Sequence, residues 1–155
     1  MKEELQDSLY NKYPRIFVQK DLPSSETCMC WGVCTGDGWY NIISALCQSI
    51  QQYLDCHNGD GEFEYRKKFH SDSHTPVRQV ETVQVKEKFG GLRFYYIGGN
   101  NCIRGMINMA EALSCVTCED CSNPGIQNGP GWIRTLCKPC RIAHDKARAD
   151  RFGDI

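Results

Sequence analysis

The chain has 155 residues, with 18 Lys and Arg against 19 Asp and Glu, a formal net charge of −1 and 11 cysteines. The length fits one domain, or a small domain with an appended module, and the balanced charge excludes a polybasic nucleic-acid glue or an acidic tail as its main character. A content of 41% hydrophobic and 10% aromatic residues excludes a wholly disordered chain.

The acidic start Met1-Lys2-Glu3-Glu4 lacks the apolar core of a signal peptide. No apolar run approaches the ~20 residues that a membrane-spanning helix requires. The expectation is a soluble chain that starts where it is read. Residues 2–13 predict a short amphipathic helix, with Leu5, Leu9 and Tyr13 at four-residue steps and Pro14 as its stop. Residues 15–36 read as irregular. Asp37 then reads as the N-cap of the strongest helical pattern, from about Gly38 to Asp55, with Ile42, Ile43, Leu46, Cys47, Ile50, Tyr53 and Leu54 on one stripe.

The stretch 57–79 is polar and carries no clear period. It predicts a long surface loop with a turn or two of helix around Phe63 to Phe69. From Val80 to Ile97 the pattern changes to strand chemistry. Val83 and Val85 alternate with Gln84 and Lys86, Leu92, Phe94 and Tyr96 alternate with Arg93 and Tyr95, and Gly90-Gly91 lies between the runs as a hairpin turn. A further helix over about 101–114 carries Ile103, Met106, Ile107, Ala110 and Leu113 inward. A zinc module over 115–142 follows, and a short basic helix to about Arg151 closes the chain. The order predicts an α+β fold, with helices packed on a small antiparallel hairpin or sheet. Residues 1–114 form the α+β domain and 115–155 the zinc-binding module, packed on it as one unit.

Cysteine spacing carries the strongest chemical signal. Cys118-Glu119-Asp120-Cys121 and Cys137-Lys138-Pro139-Cys140 are two C-x2-C pairs fifteen residues apart, a four-thiolate zinc spacing. Ser122-Asn123-Pro124-Gly125 supplies turn chemistry after the first pair. The second pair falls where Trp132-Ile133-Arg134-Thr135-Leu136 gives way to a helical pattern. A knuckle, a hairpin and a helix whose first turn holds two ligands is, by analogy, a treble-clef arrangement. Cys115-Val116-Thr117-Cys118 is a competing register, but Cys115 is expected to point into the core. Four thiolates leave zinc no open position, so the expected role is structural.

Cys28, Cys30 and Cys34, with Cys47, Cys56 and His57 downstream, match no standard ligand spacing, so core thiols are expected there in preference to a second zinc. A catalytic Cys paired with His57, His70 or His74 lacks any visible supporting context. Lys86, Lys88, Arg93 and Tyr95 on the polar side of the hairpin, with Arg134 and Arg141, form the candidate surface for a partner or a nucleic acid. Trp31, Trp39 and Trp132 are each flanked by Gly and are expected as buried anchors. Trp beside Gly in a loop is also the pattern of a protein-binding hot spot.

Several longer words of the sequence occur together: Leu9-Tyr10-Asn11-Lys12-Tyr13-Pro14, Met29-Cys30-Trp31-Gly32, Gly36-Asp37-Gly38-Trp39-Tyr40, Val85-Lys86-Glu87-Lys88-Phe89-Gly90-Gly91-Leu92-Arg93 and Gly131-Trp132-Ile133-Arg134-Thr135-Leu136-Cys137. In these the chain resembles a family of short, uncharacterised phage and prophage proteins, over most of its length except 57–79. The resemblance supplies no reaction. It implies expression in the cytoplasm of a bacterial host, where thiols stay reduced and bind metal. In that setting the expected function is a zinc-stabilised accessory protein that binds and inhibits or redirects a host factor, a host protein or protein–nucleic acid complex such as a defence complex. The alternative is a DNA- or RNA-binding module acting through the basic hairpin and the C-terminal helix. An enzyme ranks third, because no chelating carboxylate pair or His-based site stands out.

Overall fold

The computed structural model describes residues 1–58, 76–128 and 131–152. Most of the expected loop 57–79, including its helical turns and both His70 and His74, lies outside the described residues.

Among the described residues the fold is α+β, with four helices and a small sheet. Helix α1 spans Glu3–Lys12 and α2 spans Tyr40–Asn58; α3, Asn101–Ser114, and α4, Lys138–Phe152, follow the sheet. Strands β1 (Val33–Cys34), β2 (Glu81–Lys88) and β3 (Gly91–Ile97) form one sheet in that spatial order. A second, two-stranded sheet pairs β4 (Ile126–Gln127) with β5 (Thr135–Leu136) in antiparallel fashion. The main core joins Leu9, Ile16, Phe17 and Met29 from the N-terminal third to Ile43, Leu46, Ile50 and Leu54 of α2, Ile103 and Ile107 of α3, and Val85, Leu92 and Phe94 of the hairpin. The apolar stripe of α2 and the fully buried Cys47 are placed as their periodicity predicts.

The structure corrects the sequence reading at several points. The stretch 15–36 is not wholly irregular: Val33–Cys34 pairs in parallel with β2, Val33 opposite Val85, and two 3-10 turns occupy Val18–Asp21 and Met29–Trp31. A two-residue strand is too short to carry a readable alternation. Asp37 does not cap α2. A 3-10 turn over Asp37–Trp39 precedes that helix, and the Asp37 carboxylate accepts the Lys2 backbone N–H at 2.8 Å. This bond, with the Lys2 ammonium 3.3 Å away, holds the Asp37 carboxyl below its ordinary range.

A β-bulge between Thr82 and Gln84 shifts the phase of β2, so Thr82 and Val85 face the core and Val83 does not. Its carbonyl accepts the Cys28 N–H at 3.0 Å and the Thr27 hydroxyl at 3.2 Å. The hairpin turn is Phe89-Gly90, not Gly90-Gly91: Lys88 pairs with Gly91, and Phe89 and Gly90 have φ of 54° and 73°. Both positive φ values are what a two-residue type I′ turn requires.

On α3, Leu113 is half exposed and Ser114 is buried in its place. The outer edge of β3 explains this. The Leu92 N–H donates to the Ser114 hydroxyl at 2.8 Å and the Phe94 N–H to the Glu111 carboxylate at 3.0 Å, so α3 side chains close the edge of the sheet. Of the three tryptophans only Trp39 is a buried anchor. Trp31 is 71% exposed and Trp132 is 77% exposed, which reverses the expectation for both.

Candidate metal centre

The second sheet is the frame of a compact C-terminal module. An isolated bridge between Thr117 and Pro124 brackets a tight knuckle over 118–121, closed by the Ser122 N–H donating to the Cys118 carbonyl at 3.1 Å. Ser122 has φ 66°, and its hydroxyl donates to the Gly38 carbonyl at 2.7 Å, which ties that left-handed residue to the larger domain. The hairpin β4–β5 then returns the chain to Cys137. Helix α4 starts at Lys138, so Cys140 stands in its first turn, where the helix dipole favours a thiolate. The sequence of knuckle, hairpin and helix is treble-clef-like, as the spacing predicts.

The sulfurs of Cys118, Cys121, Cys137 and Cys140 all lie within 4.8 Å of one another. Cys121 Sγ and Cys137 Sγ are 3.5 Å apart. Sulfurs arranged tetrahedrally around one ion at ~2.3 Å stand about 3.8 Å from each other, so the group fits a single four-coordinate metal. Its electrostatics point the same way. The Asn123 backbone N–H, with the Cys137 thiol, draws Cys121 down to about 7, while the neighbouring Cys137 and burial push Cys140 up. Four sulfurs this close can all carry negative charge only around a cation. The Asn123 side-chain amide adds a bond to Cys121 Sγ at 3.3 Å, an outer-shell contact that orients the ligand.

Cys115 stays out of the group, its thiol facing the Glu111 carbonyl at 3.5 Å, which settles the register in favour of Cys118 and Cys121. Among the described residues the structure brings no other three His, Cys, Asp or Glu together as a metal group, and Cys28 and Cys34 are exposed, not the core thiols expected there. The Cys30 thiol donates instead to the Thr27 carbonyl at 3.3 Å and that of Cys34 to the Trp31 carbonyl at 3.5 Å.

The knuckle rests directly on the Gly36-Asp37-Gly38-Trp39 turn. The Gly36 N–H donates to the Glu119 carboxylate at 2.9 Å, the Gly38 N–H to the Glu119 carbonyl at 2.7 Å and the Trp39 indole N–H to the Thr117 carbonyl at 2.8 Å. A methyl group on Gly36 or Gly38 would overlap the Glu119 or Cys118 carbonyl oxygen, so both positions require glycine for close approach. A second junction forms at the hairpin tip, where Gln127 Nε2 donates to the Phe89 carbonyl at 3.3 Å and the Thr135 hydroxyl to the Gly90 carbonyl.

The expected binding cations divide into two kinds. Arg134 is built into the module. Its guanidinium bonds the buried Glu119 carboxylate at 3.1 and 3.2 Å and Asp120 at 2.9 Å, and touches the His144 ring, which itself lies 2.7 Å from Asp120. Burial alone would push the Arg134 pKa down, but the two carboxylates more than offset it and the pKa is raised. Arg93 is half-buried, with its guanidinium donating to the Leu92 carbonyl at 2.7 Å and lying 3.7 Å from Glu111. Arg141 is also partly engaged, donating to the Ile126 carbonyl at 2.6 Å. Lys86 and Lys88 remain available on the hairpin, over the Tyr95 and Phe89 rings at 5.5 and 5.4 Å. Glu119, Asp120, His144 and the glycine turn escaped the sequence reading, and the close Gly-x-Gly-Trp spacing was the one signal that pointed to them.

Comparison of the chain with protein-family models, with curated proteins and with solved structures finds no match.

Proposed function

We propose that this chain is a zinc-stabilised binding protein, a phage or prophage accessory protein that acts in the cytoplasm of a bacterial host by occupying a host protein or protein–nucleic acid complex. Zinc is the metal that four thiolates in two C-x2-C pairs select, and with every position filled by protein its role is structural. The observation that carries the binding reading is the exposure of large apolar side chains in the segments that meet at the hairpin–module junction. Phe89, Val116, Ile126 and Trp132 are 67%, 60%, 75% and 77% exposed. Large side chains held in the open on a braced surface are the ordinary make-up of a protein interface core. Because Arg134 and Arg93 already face carboxylates, apolar contact outweighs phosphate contact in this reading, and Lys86, Lys88 and Tyr95 serve as its polar margin.

The experiment is affinity capture from bacterial lysate with the wild-type chain and the double variant Phe89→Ala, Trp132→Ala. A specific complex held by the wild type and lost by a folded, metal-loaded variant is expected. Retention of that complex by the variant, or no saturable complex at all, overturns the reading. The second reading, nucleic-acid contact, draws on α4, whose residues from Ile142 to Arg151 are exposed with Lys146, Arg148 and Arg151 among them. It predicts salt-dependent binding that weakens across all sequences when these cations are removed.

A further inference from the structure

Helix α1 carries Glu3, Gln6, Asp7 and Tyr10 at steps of three and four residues, which stacks them on one face. That face forms one wall of a cleft of about 600 Å³, and Lys20, Asp21 and Trp31 line the other. Gln6 fastens the walls together: its side-chain carbonyl accepts the Val33 N–H at 2.8 Å and the Tyr10 hydroxyl at 3.1 Å. Gly32, at φ 73°, turns the chain directly behind Trp31, and a Cβ there would displace the Gln6 side-chain carbonyl. Trp31 is therefore presented to solvent from a fixed backbone.

The cleft is negative. Three carboxylates, Glu3, Asp7 and Asp21, line it against the Lys20 ammonium and that of Met1, which is turned toward the Val33 and Thr35 carbonyls. Burial raises the Tyr10 phenol to about 12, and the charges of Asp7, Cys34 and Asp21 add to that shift. One cation already uses these walls. The Lys20 ammonium bonds the Asp21 carboxylate at 2.6 and 2.8 Å and lies 5.7 Å from the centre of the Tyr10 ring. Glu3, Asp7 and Trp31 line the same cleft, and among the described residues Glu3 and Asp7 form no ion pair.

We propose that this cleft binds an arginine side chain of a partner polypeptide, with its guanidinium over the Trp31 indole and its fork toward Glu3 and Asp7. Guanidinium suits the site better than ammonium. It is planar, so it stacks on an indole, it is weakly hydrated, and its fixed fork can face two carboxylates one helical turn apart. The assignment rests on no part of the metal module, so it stands or falls separately from the surface around Phe89 and Trp132.

The test uses the full, metal-loaded chain and the peptide acetyl-Gly-Arg-Gly-Arg-Gly-amide. The Trp31 indole N–H resonance, assigned with Trp31→Phe, is the reporter. The arginine peptide is expected to shift it saturably, leaving the Trp39 resonance in place, and the shift should weaken as salt rises. A matched citrulline peptide should bind at least about tenfold more weakly, since it keeps the shape and loses the charge. Asp7→Asn and Glu3→Gln, both at exposed positions, should each weaken the arginine peptide several-fold with circular dichroism unchanged. No saturable shift, equal binding of the citrulline peptide, or undiminished binding to both variants overturns the proposal. Equal binding of the matched peptide acetyl-Gly-Lys-Gly-Lys-Gly-amide overturns the assignment to guanidinium, and equally tight binding of choline overturns the polypeptide partner in favour of a small cation.

Discussion

Gly38 has the Cys118 carbonyl and the Cys121 N–H against the place where a side chain would be. Gly38→Ala must push the knuckle off its seat, and overpacking of this kind costs about 1–3 kcal/mol. A lower melting temperature and faster metal loss to a chelator are expected together, whereas loss of stability at unchanged metal retention would separate the turn from the centre. Arg134 acts by charge rather than by fit. Arg134→Ala leaves the Glu119 carboxylate, which is 7% exposed, without its main cation, and breaking a buried pair costs about 3 kcal/mol at the low end of the usual range. Denaturant unfolding should show that loss, and partner capture should change only as stability does. Phe89 is the opposite case, since a bulky residue at φ 54° is strained by about 1–2 kcal/mol. Phe89→Asn gives the turn its preferred Asn-Gly pair, so the melting temperature should rise while capture of the partner weakens. A stabilised variant that still captures fully would remove Phe89 from the interface.

The metal module is short strands and one helix, too small to bury a core of its own beyond Cys118, Leu136 and Cys137. Such an element depends on its ion for folding energy. Cys137→Ser should lose the metal, and near-ultraviolet dichroism should show that residues from 115 onward lose fixed packing. Metal affinity should also fall as pH falls. Thiols bind metal only when deprotonated, so ion uptake releases protons and acid drives the reverse reaction. The sign follows for Cys140, whose raised thiol must give up its proton on binding, whereas Cys121 is drawn down toward the thiolate. Metal release that is independent of pH between neutrality and mild acid would contradict thiolate ligation. In α3, Ser114 and Glu111 complete the unpaired edge of β3, a task that helical periodicity does not encode.

At the scale of the whole molecule, the knuckle, the glycine turn and the hairpin tip join the two parts through hydrogen bonds, most of them between a side chain and a backbone group. Leu46→Asp, which would bury an unpaired charge in the main core, should therefore unfold the N-terminal part and also weaken metal retention, because the knuckle loses the Trp39 turn it rests on. Indole fluorescence offers a direct check, since Trp39 donates to the Thr117 carbonyl across this junction. Chelation in the wild type should change Trp39 emission. Full metal retention in a chain unfolded by Leu46→Asp would mean that the module folds alone.

Properties that act locally along the chain were legible in the sequence. The stripe of α2 depends on a 3.6-residue period, the hairpin on two runs of alternation, and the metal group on cysteine spacing that a tight turn converts into convergence. What depends on distant neighbours was not. Val83 leaves the core at a bulge where its carbonyl accepts the Thr27 hydroxyl and the Cys28 N–H, and β1 exists because β2 lies beside it. Asp37 is drawn to Lys2 across 35 residues rather than to its own helix. Trp31 and Trp132 share with Trp39 a glycine neighbour and differ only in what the fold brings over them. Arg134 reads as a free cation until Glu119, Asp120 and His144 are placed around it. Burial and charge pairing are sums over everything nearby, and for these residues the neighbours that decide lie far away in the sequence.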